Sequence, residues 1–188
     1  MATIYLFRHG QTEFNRDQKF TGWLDAKLTD LGRQQAQTIA GLLVNKTINL
    51  AYQTRLSRSQ ETLDIVLNSH PECHRRITDD RLIERSYGDL SGETHQEIIN
   101  GLGVGQYEHW HRGFYDQPPA GESFSDVETR VTEFLANFKT EYGGKKLGVA
   151  ISAHGNSIRL FRKIMENATI ADCVSWTIPY DSYFEYQI

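Results

Sequence analysis

Two stretches place a histidine directly before a glycine at the end of an apolar run. "YLFRHGQTEFN" (5–15) carries Arg8, His9 and Gly10, and "VAISAHGNSIR" (149–159) carries His154, Gly155 and Asn156. A histidine in such a setting can be a structural residue, a metal ligand, a proton shuttle or a nucleophile. One tripeptide of this kind says little. Two of them, with Arg8 beside the first and Asn156 after the second, begin to describe an anion pocket with an imidazole in it. In "YQTRLSRSQETL" (52–63) the S-x-x-Q spacing of Ser57 and Gln60 is that of a capping box, so Arg58 falls at a predicted helix N-terminus, where the dipole and free N–H groups already favour anions. Arg8 and Arg58 together can hold a phosphoryl group through paired charge-assisted hydrogen bonds.

These residues need elements to hold them. The β-rich runs "TIYLF" (3–7), "NLAYQ" (49–53) and "LGVAIS" (147–152) alternate with segments of helical periodicity, the order of parallel strands joined by crossover helices. In sheets of that kind ligands bind at the carboxyl ends of strands, where both His-Gly pairs stand. After Thr29, the residues Ala36, Ile39, Ala40 and Leu43 share one helical face; Val127, Val131, Phe134, Leu135 and Phe138 form the clearest core stripe, after a second predicted capping box at Ser125 and Glu128. Between about 90 and 124 the pattern weakens and predicts a short helix within a substrate-loop excursion. The expected fold is α/β: a single-domain three-layer sandwich over 1–188, with a mostly parallel central sheet and helices on both faces.

Composition agrees with this. The 188 residues, 39% hydrophobic and 23% charged, are enough for one domain with its own core. A net charge of −4 leaves no basic footprint for nucleic acid or an anionic membrane surface, so an anionic ligand must be caught by local arginines. With Cys73 and Cys173 as the only cysteines, and neither a signal peptide nor an apolar span of membrane length, a cytoplasmic protein is expected. "GLGVG" (101–105) lacks the G-x-G-x-x-G spacing and reads as a mobile turn, and "HPECHRR" (70–76) reads as a solvated loop because Pro71 interrupts any ligand face. No phosphate-binding P-loop and no G-x-S-x-G nucleophile elbow occur.

Six ordered segments then resemble a known family. "RHGQTEFN" (8–15), "FTGWLDAKLTDLGRQQA" (20–36), "RLIERSYGDLSG" (81–92), "HWHRGF" (109–114), "PPAGES" (118–123) and "SAHGNSIR" (152–159) are similar to motifs of the histidine phosphatase superfamily, and within it of the cofactor-dependent phosphoglycerate mutases. The resemblance implies a phosphoglycerate mutase-like fold and phosphoryl transfer without a metal. It implies that His9 attacks the phosphoryl group as neutral imidazole, its other nitrogen donating to a backbone carbonyl, and becomes a phosphohistidine. Arg8, Arg58 and His154 would stabilise the equatorial oxygens, and Glu84 would serve as general acid and then base. By the residues alone, Glu84 is equally a partner for Arg81 or Arg85. Asn15, Thr21, Gly22, Gly155 and Asn156 match phosphoryl or substrate contacts, as do Tyr87, His95, His111 and Arg112; Trp110 and Phe114 read as the packing that holds Arg112.

The acceptor decides the activity. A phosphoglycerate hydroxyl gives a mutase primed by 2,3-bisphosphoglycerate as phosphoryl donor, interconverting 3- and 2-phosphoglycerate in glycolysis; water gives a phosphomonoesterase of the histidine acid phosphatase type. Phe20-Thr21-Gly22-Trp23 and the tryptophan–arginine pair of "HWHRGF" favour the mutase. Three departures weigh against it. His95 stands where the mutases carry lysine, and His111 where they carry the first of two arginines; "TIPYDSYFEYQI" (177–188) replaces their Thr-Gly-Val-Pro turn and lacks their closing tail. A non-catalytic phospho-ligand binding module is the reading from a different class, although such modules usually lack one of the residues named here.

Overall fold

The computed structural model describes residues 1–188. Five strands form one sheet in the order β3-β2-β4-β1-β5: β1 (Thr3–Arg8), β2 (Leu50–Gln53), β3 (Arg75–Thr78), β4 (Gly148–Ala153) and β5 (Tyr183–Gln187). The first four run parallel, and β5 pairs antiparallel with β1 along the edge. β1 and β4 stand side by side with Arg8 opposite Ala153, so their carboxyl ends finish level and His9 and His154 leave the sheet together.

Strand alternation explains the two faces. Ile4 and Leu6 of β1 and Val149 and Ile151 of β4 point into the larger core, beneath α5 (Phe124–Tyr142) and α6 (Gly155–Glu166). Tyr5, Phe7, Ala51 and Ala150 point the other way, against Ile39 and Leu43 of α2 (Asp30–Leu43) and Leu63 and Val66 of α3 (Ser57–Leu67). The expected α/β sandwich is the observed one, and the stripe from Val127 to Phe138 is buried core. No helix is long and apolar enough to cross a membrane. The remaining helices are α1 (Glu13–Arg16), α4 (His95–Arg112) and α7 (Ile170–Ser175).

Several local expectations change. α3 is capped by Leu56 without a side-chain bond, so Ser57 and Gln60 do not form a box; the Ser57 backbone N and Oγ both donate to Asp25 Oδ1 instead, tying the 20–28 loop to the helix. α5 starts two residues earlier than expected: Ser123 is its N-cap, in a reciprocal box with Asp126, while Glu128 pairs with Lys163. Aspartate fills the N3 role that the S-x-x-E/Q pattern assigns to Glu or Gln. The 90–124 excursion holds an 18-residue helix, α4, started by a Thr94–Glu97 box and bent at Gly103, whose φ of +83° few side chains would tolerate. "GLGVG" is therefore a kink inside α4, not a turn between elements. Of "HPECHRR", residues 70–74 form a connection, but Arg75 and Arg76 begin β3 and His70 is buried with Nδ1 against Glu72. β5 likewise had no sequence expectation.

The cap assignment is testable. Ser123→Ala is expected to lower stability by about 1–2 kcal/mol, the usual cost of losing an N-cap oxygen, whereas Ser125→Ala stays within about 0.5 kcal/mol. Urea unfolding of the two variants reads the difference; equal losses would contradict the assignment.

Candidate active site

At the end of β1, His9 is 2% exposed and its Nδ1 lies 2.7 Å from the Gly10 carbonyl oxygen. A carbonyl only accepts, so Nδ1 carries the proton and Nε2 keeps its lone pair. Burial, and then the charges of Arg58 and Arg8, hold His9 well below its ordinary pKa, so it is neutral at pH 7. Gly10 is required for a reason other than ligand approach: a Cβ there would meet the Gly32 carbonyl oxygen at 2.1 Å, where α2 packs against the turn.

His154 follows β4 with its ring centroid 5.0 Å from that of His9. Its Nε2 is 2.8 Å from Thr54 Oγ1, which also accepts from the Leu56 backbone N–H. His154 Nδ1 is buried and has no partner. His154 is held neutral by burial first and by Arg58 next.

Arg58, 1% exposed in the first turn of α3, donates from Nη1 to the Leu24 carbonyl and from Nη2 to the Gly22 carbonyl, both at 2.8 Å. Burial lowers its pKa to about 10, which still leaves it charged. Arg8 donates from Nη1 to the Ile178 carbonyl. The Nε groups of both arginines are buried without partners. Three buried nitrogens, on Arg8, Arg58 and His154, are thus without partners near His9, in a site with no paired carboxylate. Such a set accepts an anion with several oxygens.

Glu84 is not an ion-pair partner for its neighbours. Arg81 pairs with Asp79 at 2.6 Å, and the Arg85 guanidinium is spent on the carbonyls of Trp110, His111, Asp116 and Glu122. Glu84 Oε1 instead accepts the backbone N–H of Arg85 at 2.8 Å and of Asn156 at 3.0 Å, which fixes the carboxyl beside the second His-Gly pair. Oε2 has no protein partner. The Trp23 indole donates to the Glu84 carbonyl at 2.7 Å and so draws the 20–28 loop onto this segment.

Above these groups lies a cavity of about 160 Å³, below the ~300–1,000 Å³ of pockets for larger ligands, and only two of its 13 lining residues are hydrophobic. It brings together Arg8, Asn15, Thr21, Gly22, Glu84, Tyr87, His95, His111, Gly155 and Asn156 as expected. His9, Arg58 and His154 are buried behind this lining. Asn15 Oδ1 is occupied by the Thr12 N–H and hydroxyl in the α1 capping box. The Asn156 amide donates to the Tyr87 hydroxyl at 3.1 Å.

Arg112 is the exception. It is not on the pocket wall, and its Nη1 donates to the Val174 carbonyl at the end of α7. Trp110 packs beside the Phe20–Tyr87 cluster and Phe114 in the main core. The cation on the wall is Arg159, unassigned by sequence reasoning, which donates to Asn156 Oδ1 at 2.6 Å and twice to the Trp176 carbonyl. Lys19 also lines the pocket. Arg159 lies one helical turn after Asn156, and that i, i+3 spacing was the available signal.

His95 and His111 sit on the wall with Phe20, their ring centroids 4.3 and 5.8 Å from its own, and Tyr107 packs against both histidines. Burial and the nearby Arg112 charge lower His95, and the same causes push His111 down to about 3. Both are neutral at pH 7, so this wall is polar and aromatic rather than cationic.

Two neutral imidazoles at the ends of β1 and β4, with Arg8 of β1 and Arg58 of α3 held by carbonyls alone, stand at one small polar pocket and give it the character of an anion site. The family model of the histidine phosphatase superfamily, branch 1, matches residues 4–187, and this chain belongs to that superfamily. It is similar to 2,3-bisphosphoglycerate-dependent phosphoglycerate mutases of Bartonella henselae, 34% identical with 92% of this chain and 85% of the relative covered, and of Rhizobium johnstonii, 38% identical with 88% and 80% covered. Among solved structures it is similar to Bacillus stearothermophilus YhfR, with a TM-score of 0.85, 28% identity and coverage of 96% and 88%. A mycobacterial glucosyl-3-phosphoglycerate phosphatase superposes with a TM-score of 0.84 at 25% identity, over 97% of this chain and 88% of its own.

The buried imidazoles make stability depend on pH. His9 and His154 have folded pKa values below the unfolded value of about 6.5, so on acidification the unfolded chain takes up protons first. Their contribution is complete above about pH 6.5 and is lost as the pH falls below it, each steepening the slope by up to about 1.4 kcal/mol per pH unit. Urea unfolding at about pH 7.5 and 5.5 should give a clearly lower free energy at the acidic value; a flat profile would contradict neutral burial.

Proposed function

We propose that this chain is a phosphoglycerate mutase-type phosphotransferase that works through a phosphohistidine on His9. The observation that carries the chemistry is the set of unpartnered buried nitrogens, Arg8 Nε, Arg58 Nε and His154 Nδ1, beside an imidazole whose Nε2 lone pair is free. His9 Nε2 forms the bond to phosphorus as the ester P–O bond breaks. Protonated Glu84, through its unpartnered Oε2, gives the departing oxygen its proton. The carboxylate left behind then takes the proton of the acceptor hydroxyl, whose oxygen attacks phosphorus while the N–P bond breaks. Arg8, Arg58 and His154 face the three oxygens that carry the transition-state charge.

The mutase assignment rests on relatives 34–38% identical that bear that name, and on the Trp23 indole holding the "FTGW" loop to the Glu84 segment. A bisphosphorylated donor fits: the unpartnered nitrogens near His9 would hold one phosphoryl group, and Lys19 and Arg159 stand on the same pocket for a second anion. When bound, 2,3-bisphosphoglycerate supplies the phosphoryl group that primes His9. One observation favours water as a second acceptor: His95 and His111 are neutral where permanent charges would grip a substrate carboxylate, and several structural neighbours are named phosphatases. Slow hydrolysis beside transfer follows.

Incubation with 3-phosphoglycerate should give 2-phosphoglycerate in the presence of catalytic 2,3-bisphosphoglycerate, with less free phosphate, and an acid-labile label on the protein. Phosphate without isomerisation would replace the mutase by a phosphatase. His9→Ala should lose the label and at least about 10³-fold in turnover, in line with removal of a covalent nucleophile. An active His9→Ala protein would sink the mechanism, and neither transfer, hydrolysis nor labelling would leave a binding module.

A further inference from the structure

The segment between α7 and β5, "TIPYDSY" (177–183), reaches across the end of β1. The Ile178 carbonyl accepts Arg8 Nη1 at 3.1 Å, and the Tyr180 ring lies over the same guanidinium, 3.9 Å from Cζ to the ring centroid. The ring also meets His9 edge-on, with centroids 6.5 Å apart. Gly155 comes so close that a Cβ there would lie 3.4 Å from Arg8 Cζ and Nη2. An arginine has several rotatable bonds and loses much freedom when it is held still. Here one nitrogen is tied to a carbonyl, one face is covered by a ring, and Nε is buried with nothing to bind.

Resting on the reading of His9 as phosphoryl acceptor, we propose that Tyr180 is a positioning residue for Arg8: its ring stacks on the guanidinium and keeps the free Nε edge turned toward the phosphoryl group. The Tyr180 hydroxyl makes no hydrogen bond within the protein, so the contribution comes from the ring face, through cation–π attraction. Tyr180 stands in the part of the chain that departs from the mutases' Thr-Gly-Val-Pro turn.

The test uses the full chain and orthovanadate, an anion with the shape of the transferring phosphoryl group. Tyr180→Phe should bind vanadate within about twofold of the parent, and Tyr180→Leu about five- to tenfold more weakly, as loss of a partly buried cation–π contact requires. The Leu penalty should vanish in an Arg8→Ala background, because the interaction then has no second member. Unfolding midpoints check that the variants fold, and Tyr180→Met serves as a second non-aromatic variant should Leu misfold. An equal penalty with and without Arg8, or a Phe penalty as large as that of Leu, overturns the positioning role. Labelling by 2,3-bisphosphoglycerate separates the two claims. The expected vanadate pattern in a chain that takes no label overturns the proposed function and leaves Tyr180 its role, whereas a labelled chain indifferent to Tyr180 does the reverse. Failure of vanadate to bind the parent protein overturns both.

Discussion

Two guanidinium groups and two imidazoles meet at the level ends of β1 and β4, and no carboxylate pairs with either arginine. A buried charge of this kind must be held by something, and here backbone carbonyls do the work: those of Gly22 and Leu24 for Arg58 and that of Ile178 for Arg8. Carbonyls fix the guanidiniums without neutralising them. The surplus positive field has two consequences. It adds to burial, the larger cause, in keeping His9 and His154 neutral, and it leaves the site short of an anion.

The loops follow from the same constraint. The 20–28 loop supplies two of the carbonyls, and it is tied down by Ser57 on Asp25 and by Trp23 on Glu84. Glu84 in turn is oriented by the Asn156 N–H, whose side chain links Tyr87 on one side and Arg159 on the other. The phosphoryl end of the pocket is therefore rigidly specified from several elements. The opposite wall, with its neutral His95 and His111, carries less charge.

Much of this was legible in the chain. The β1 and β4 strands, the buried stripe of α5 and the two His-Gly ends could be read because each is a local pattern of period or type. The caps are less legible: the spacing predicts boxes at Ser57 and Ser125, yet Ser57 bonds Asp25 and Ser123 caps α5, because a serine's hydrogen bond goes to whichever partner the fold brings nearest. β5 has no signal of its own, being an edge strand made by pairing with β1.

Arg112 and Arg159 mark the boundary most clearly. The family resemblance placed Arg112 among the substrate contacts, but its Nη1 bonds the Val174 carbonyl of α7, and Arg159 on α6 stands on the wall. By itself the sequence determined which side chains can do the chemistry and that β1 and β4 deliver them, since strand ends and glycine turns depend on near neighbours. Only the tertiary structure decided that Arg159 rather than Arg112 faces the pocket and that Tyr180 covers Arg8. Those depend on contacts between residues as many as 172 positions apart in the chain, as for Arg8 and Tyr180, which no local pattern encodes.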